Sequence, residues 1–335
     1  QIQQMIKNTP AEPDGSKTIV ITTKNYQNIY KNKDKIYASI PGSFFKGTGN
    51  YTLKYVTPYG TIAFSEMMNH LNTADEFKFS VDKDLNVEFF INDSETGFTE
   101  MRKTFTVGIP YTLQKGEDPD SLYAIRANSS GRETKIPISA YKDGYVYCVT
   151  PIIGKFKVGS NPVESFEDTK GKWCEDAVKF MAAKGVILGT EPGKFSPNAT
   201  VKRCDYILML LRAFNHDTAN FNGPYYTSAW NMAKELGIMR NIPDEPEGFI
   251  TREEMFTITL RLLQKYGWYK EEAAYGWLYD FSDYADTSEY AYDSLSILIA
   301  NKLVSGSDNQ INPKGYSLRS EAAQFLYNVI ISMAK

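Results

Sequence analysis

Three arginines recur in one short phrase: Val201-Lys202-Arg203-Cys204-Asp205, Ile250-Thr251-Arg252-Glu253-Glu254 and Ser317-Leu318-Arg319-Ser320-Glu321. Each phrase opens an apolar stretch of helical period, so each arginine is expected in the first turn of a helix. Unpaired N–H groups and a partial positive charge at that end suit an anion, and a guanidinium beside them adds a planar fork that takes a carboxylate in bidentate fashion. A cation at the positive end of a helix is itself mildly unfavourable. Its threefold recurrence therefore asks for an anionic partner, either a bound ligand or an internal carboxylate from an adjacent copy. Lys202 and Thr251, just ahead of their arginines, join the candidate contacts. Trp173, Tyr225 and Tyr290 offer flat apolar faces to a ligand, and Asp168 and Asp283 can accept hydroxyl hydrogen bonds. Each has a plainer reading: Trp173 heads an apolar stripe as a core residue would, and the two aspartates can cap a helix or close a turn.

The elements that position these residues repeat with them. Upstream of Arg203 lie Phe166-Glu167-Asp168, then Trp173, Ala177, Phe180, Met181, Gly185 and Gly189, then Phe195-Ser196-Pro197. The third copy keeps the order with Phe281-Ser282-Asp283, Tyr290, Leu295, Leu298, Ile299, Gly306 and Ile311-Asn312-Pro313. The middle copy retains Tyr225, Ala229, Met232, Ala233, Gly237 and Ile238, but it has no comparable Pro-marked loop before Arg252. Positions 173, 177, 180 and 181 predict a first helix closed by Gly185, and Met255, Ile258, Leu262 and Tyr266 predict a second. Thr251 and Glu254 have capping-box spacing. Such repeats bury their apolar faces only against one another.

These residues resemble S-layer homology repeats of bacterial cell-surface proteins: an aromatic-x-Asp start, an aromatic-led helix, a Gly-rich turn with Phe-x-Pro, and a helix opening Ile-Thr-Arg-Ala-Glu. The resemblance covers roughly residues 165–335, as copies at 165–214, 215–268 and 279–335. It implies an all-α, pseudo-threefold bundle gripping a secondary cell-wall polysaccharide, often one carrying a pyruvate ketal. The copies depart from the pattern in different places. The first has Lys202, Cys204 and Asp205 for Thr, Ala and Glu; the third has Leu318 for Thr; the second alone keeps Ile-Thr-Arg but reads Asn241-Ile242-Pro243-Asp244-Glu245-Pro246-Glu247-Gly248-Phe249 in its loop.

Ahead of a boundary at Ser160-Asn161-Pro162 the texture changes. Runs rich in Val, Ile, Tyr, Phe and Thr at 18–23, 35–40, 51–56, 61–64, 76–81, 87–91, 103–109, 122–127, 134–139, 145–150 and 155–158 predict an all-β sandwich over 17–160. Phe77, Phe79 and Val81 alternate with Lys78, Ser80 and Asp82, as in a strand with one wet face. Residues 67–71 read as a short helical turn or loop, and 1–16 as a polar segment. The stretch 107–158 also resembles the β module that often precedes S-layer homology repeats. The turns with Asp82 and Asp84, or Glu117, Asp118 and Asp120, hold pieces of calcium sites without the spacing of an EF-hand loop, and are read as solvated turns.

Charge excludes some classes. Through Ser160 there are 19 basic and 17 acidic residues, and beyond it 18 and 23, so the halves carry +2 and −5. Neither shows a nucleic-acid-binding stripe. No apolar run is long enough to span a membrane. Cys148, Cys174 and Cys204 are too few for a disulfide framework and read as small buried side chains, with a Cys174 to Cys204 bridge left open. His70 and His216 fall in different predicted domains, with no metal-ligand spacing, and no nucleophile elbow occurs. No enzyme, cofactor or metal is expected.

Two functions fit. In the first, the repeats anchor a secreted bacterial surface protein to the cell wall, and the β module is displayed or acts as a spacer. In the second, the β module is an adhesive or glycan-binding domain and the degenerate repeats are scaffold. Repeats of this kind are usually appended to further domains of a larger parent.

Overall fold

The structure, a computed structural model, describes residues 1–334 except 13–15, 43–50, 66–75, 93, 96–99, 163–164, 221 and 269–275. The stretch 67–71 and His70 lie outside the described residues. The chain divides into two compact units, Gln1–Ser160 with the last two residues, and Asn161–Met333.

The first unit is sandwich-like, with two sheets. One has the order β1 (Lys17–Ile21), β4 (Tyr51–Val56), β5 (Thr61–Ser65), β9 (Glu100–Pro110), β13 (Tyr145–Ile152), β12 (Ser139–Lys142). The other runs β11 (Glu133–Ile136), β10 (Leu122–Ala127), β14 (Gly154–Ser160), β7 (Asn86–Ile91), β6 (Glu76–Asp82), β3 (Lys35–Pro41), β2 (Ile29–Asn32), with β8 (Ser94–Glu95) on β7. Its pairs are antiparallel, and β1 with β4 in the first sheet is parallel. Alternate residues point inward, so Tyr55, Phe64, Phe79, Phe89, Phe105 and Phe156 form a continuous aromatic core with mostly tilted or edge-on contacts. Phe77, Phe79 and Val81 are buried as their alternation predicts. Ser80, expected on the wet face, is buried too, because Glu88 lies over it and accepts its hydroxyl at 2.8 Å while pairing with Lys35 at 2.6 Å. Residues 1–16 are not featureless: Ile2 and Ile6 are buried by a short helix, α1 (Ile2–Asn8). The acidic turns are closed by their own carboxylates, Asp82 accepting from the amides of Asp84 and Asn86, and Asp118 from that of Asp120.

The second unit is helical: α2 (Glu175–Ala183), α3 (Arg203–Ala213), α4 (Thr227–Glu235), α5 (Arg252–Lys265), α6 (Gly276–Tyr279), α7 (Tyr292–Ala300) and α8 (Arg319–Ala334). Gly185 and Gly237, just beyond α2 and α4, both have φ of +73°, the left-handed conformation that ends a helix cheaply in glycine. The three arginine phrases are joined in a closed ring by isolated β-bridges: Lys202 with Phe249, Thr251 with Tyr316, and Leu318 back to Thr200. The three cysteines are buried and free. Among the described residues no helix is long and apolar enough to cross a membrane, and no three His, Cys, Asp or Glu side chains group as metal ligands.

Candidate binding clefts

The ring sets the geometry of every arginine. Each phrase's helix begins by donating its first two amides to loop carbonyls of the next phrase: Arg203 and Cys204 to Gly248 and Pro246, Arg252 and Glu253 to Gly315 and Pro313, Arg319 and Ser320 to Ala199 and Pro197, all at 2.8–3.1 Å. The amides expected to be open to an anion are therefore partly occupied. What remains for a ligand is the side chains.

The three guanidinium groups are matched by acid to different degrees. Arg203 is buried and grips Glu254 with Nε and Nη2, each at 2.9 Å, while Nη1 faces Glu245. Arg252 donates Nε to the Ile311 carbonyl at 2.9 Å and Nη1 to Glu321 at 3.2 Å; its Nη2 has no partner among the described residues. Arg319 donates to the carbonyls of Phe195 and Leu188 and forms no ion pair among the described residues. The acid involved stands two residues after each arginine, as Glu254, Glu321 and Asp205, and serves the preceding copy. In the first phrase that acid is one methylene shorter. Asp205 instead accepts the Tyr225 hydroxyl at 2.6 Å, and burial together with this bond pushes the tyrosine pKa up. Sequence reading weighed an internal carboxylate in general terms; the two-residue spacing shared by all three phrases was the signal that could have named it.

The aromatic residues differ as well. Trp173 precedes α2 rather than packing in its stripe, and it is 65% exposed. Ala177, Phe180 and Met181 form the buried face that the stripe predicts. Trp173 borders a cleft of about 150 Å³ that also includes Arg252, Phe256, Val304, Glu321 and Gln324. The Arg252 guanidinium stacks over Phe256, 5.2 Å from the ring centre. Tyr225 is 56% exposed beside Asp205, whereas Tyr290 is half-buried and donates to Glu253 at 3.1 Å. Thr251 is the N-cap of α5 and completes the capping box with Glu254. Lys202 pairs with Glu247 at 3.2 Å on the surface.

Asp168 and Asp283 hold the Pro-marked loops. Asp168 accepts from the amides of Phe195 and Ser196 at 2.9 and 2.7 Å, and Asp283 from those of Ile311 and Asn312 at 2.9 and 2.7 Å. Burial opposes charge on Asp168, yet the amide bonds outweigh it and keep the carboxyl below its usual range. In the middle copy the loop is fastened differently, by Asp244 accepting from the Trp230 indole N–H and pairing with Lys234.

Residues 165–207 match the family model of the S-layer homology domain. This stretch is an S-layer homology domain. Its chain is 29% identical over 178 residues to an amylopullulanase of Thermoanaerobacterium thermosulfurigenes, covering 50% of this chain and 10% of that protein. It is 27% identical over 177 residues to the exoglucanase XynX of Acetivibrio thermocellus, covering 50% and 16%, and 23% identical over 166 residues to the S-layer protein sap of Bacillus anthracis, covering 46% and 20%. The matches thus span a fifth or less of these relatives' own lengths. An S-layer homology domain marks a secreted protein associated with the cell wall or S-layer, and an anchoring module within it.

Proposed function

We propose that the C-terminal unit is a pseudo-threefold bundle of three S-layer homology repeats, at 165–214, 215–268 and 279–335, which anchors the protein non-covalently by binding secondary cell-wall polysaccharide. The observation that carries this reading is the open cleft where exposed Trp173 stands with Arg252. The indole offers a sugar ring an apolar face, and the Nη2 of Arg252, without a partner among the described residues, offers a donor to a carboxylate of the kind a pyruvate ketal presents. The closed ring of bridges and the cyclic amide-to-loop bonds support the pseudo-threefold arrangement. A second contact is assigned to Tyr225 and Arg319, which share Asp205 as a neighbour: it accepts the Tyr225 hydroxyl, and its charge acts on Arg319. Thr251, Asp168 and Asp283 act by positioning helix and loops rather than by touching polymer. The β module is a displayed or spacer domain without catalytic activity, and the chain is one part of a larger surface protein.

Retention of the full chain on purified wall sacculi tests the reading. Trp173→Ala, at an exposed site, is expected to weaken retention by about tenfold, equivalent to about 1.4 kcal/mol. Equal retention of wild type and variant would remove the Trp173 cleft from the mechanism. Undiminished retention on walls stripped of their secondary polymer would favour the other reading, in which the β module makes the contact.

A further inference from the structure

The surroundings of Trp173, Tyr225 and Tyr290 are unequal, and the inequality is built from side chains of this chain alone. In two phrases the residue after the arginine faces the aromatic of the next copy: the Cys204 sulfur lies 3.5 Å from the Tyr225 hydroxyl, and Glu253 accepts the Tyr290 hydroxyl. In the first and third phrases that residue is neutral, Cys204 and Ser320; in the second it is an acid. Glu253 is 3% exposed, and its carboxylate is fully engaged. Besides Tyr290 it accepts from the Ser288 amide at 2.9 Å, the Ser288 hydroxyl at 2.8 Å and the Lys314 ammonium at 2.6 Å. Lys314 also donates to the Ser288 hydroxyl, so cation, acid and loop form one knot. The arginines on this side are Arg203, already closed by its bidentate pair with Glu254, and Arg261, whose charge acts on Tyr290 and whose Nη1 donates to the Ile238 and Arg240 carbonyls.

Resting on the anchor reading, we infer that the Tyr290 cleft is closed to anionic glycan by an internal ion pair of Glu253 with Lys314, so that the chain takes wall polymer in fewer than three clefts. A carboxylate entering there would have to draw Lys314 away from a buried acid. It would then face two adjacent carboxylates, Glu253 and Glu254, with Arg203 already paired and Arg261 donating to two backbone carbonyls. The Trp173 cleft presents the opposite balance: one acid, Glu321, and an arginine whose Nη2 has no partner among the described residues. Glu253 is therefore the residue that sets how many clefts accept the polymer.

Calorimetric titration of the full chain with a methyl glycoside bearing one 4,6-pyruvate ketal reads the number of sites directly. Wild type is expected to bind fewer than three equivalents, Trp173→Ala one fewer than wild type, and Glu253→Ser, which copies the third phrase, one more. Should the serine variant not fold, Glu253→Gln is read by the same criterion, since it removes the charge and keeps the volume. Three equivalents in wild type, or no added site in a folded Glu253 variant, overturns the inference. Wild type retained on sacculi but blind to the probe overturns it alone; wild type that binds neither overturns the anchor reading with it.

Discussion

Among single residues, the arginines show how one side chain in one sequence setting has different energetic meaning in three places. Removing Arg203 leaves Glu254 buried without its cation, so Arg203→Ala is expected to destabilise the C-terminal unit by about 3–5 kcal/mol. Arg319→Ala removes two bonds to carbonyls and, among the described residues, no ion pair, and is expected to lower stability by about 1–2 kcal/mol. Urea midpoints of the two variants measure the difference; equal losses would mean that the Arg203 and Glu254 pair contributes nothing beyond its hydrogen bonds. Sequence alone placed all three arginines at helix starts, where they are. The intact phrase put Arg252 first for ligand contact, but the energetic ranking was not legible, because it depends on whether the acid two residues on in one copy reaches the arginine of another. Asp205 is a methylene short of doing so.

Helices and loops of the second unit were legible where period and capping chemistry agree. The capping box at Thr251 is present, and Thr251→Ala should lower stability by about 1 kcal/mol, measurable as a shift in thermal unfolding. The loop before the first phrase depends on an ionised carboxylate. Folding holds Asp168 below its ordinary value of 3.8, so its contribution is fully present above that pH and is lost as pH falls through the folded value. Below about pH 4 the stability of wild type should therefore fall more steeply with falling pH than that of Asp168→Asn, as urea midpoints along the series would record. Elements with little pattern escaped sequence reading. Strand β2 buries only its first residue, Ile29, and so shows no alternation; α1 buries just Ile2 and Ile6 in an otherwise polar stretch. The middle loop was visibly different in sequence, but its fastening by Trp230 and Lys234 to Asp244 crosses elements and leaves no local signal.

The second unit as a whole is held by its ring. A two-sheet β region followed by a helical region could be read from periodicity, since strands and helices differ in it throughout. The ring could not, because bridges of one residue pair leave no repeating pattern to find. Its closure joins the third phrase to the first, through Val201 N–H to the Ser317 carbonyl and Arg319 N–H to the Ala199 carbonyl. A chain truncated after Gln310 should accordingly lose amide protection in α3 as well as in α5, although neither helix is itself cut. Hydrogen exchange that left α3 protected would show the segments to be independent. The same closure bears on how such a unit could be recombined. Because Arg203 answers to Glu254 and Arg252 to Glu321, a graft that swaps one whole copy breaks a joint at each border. The portable piece is the joint, an arginine helix together with the acid-bearing helix that receives it, and chimaeras spliced inside the outer helices should assemble where those spliced between copies do not.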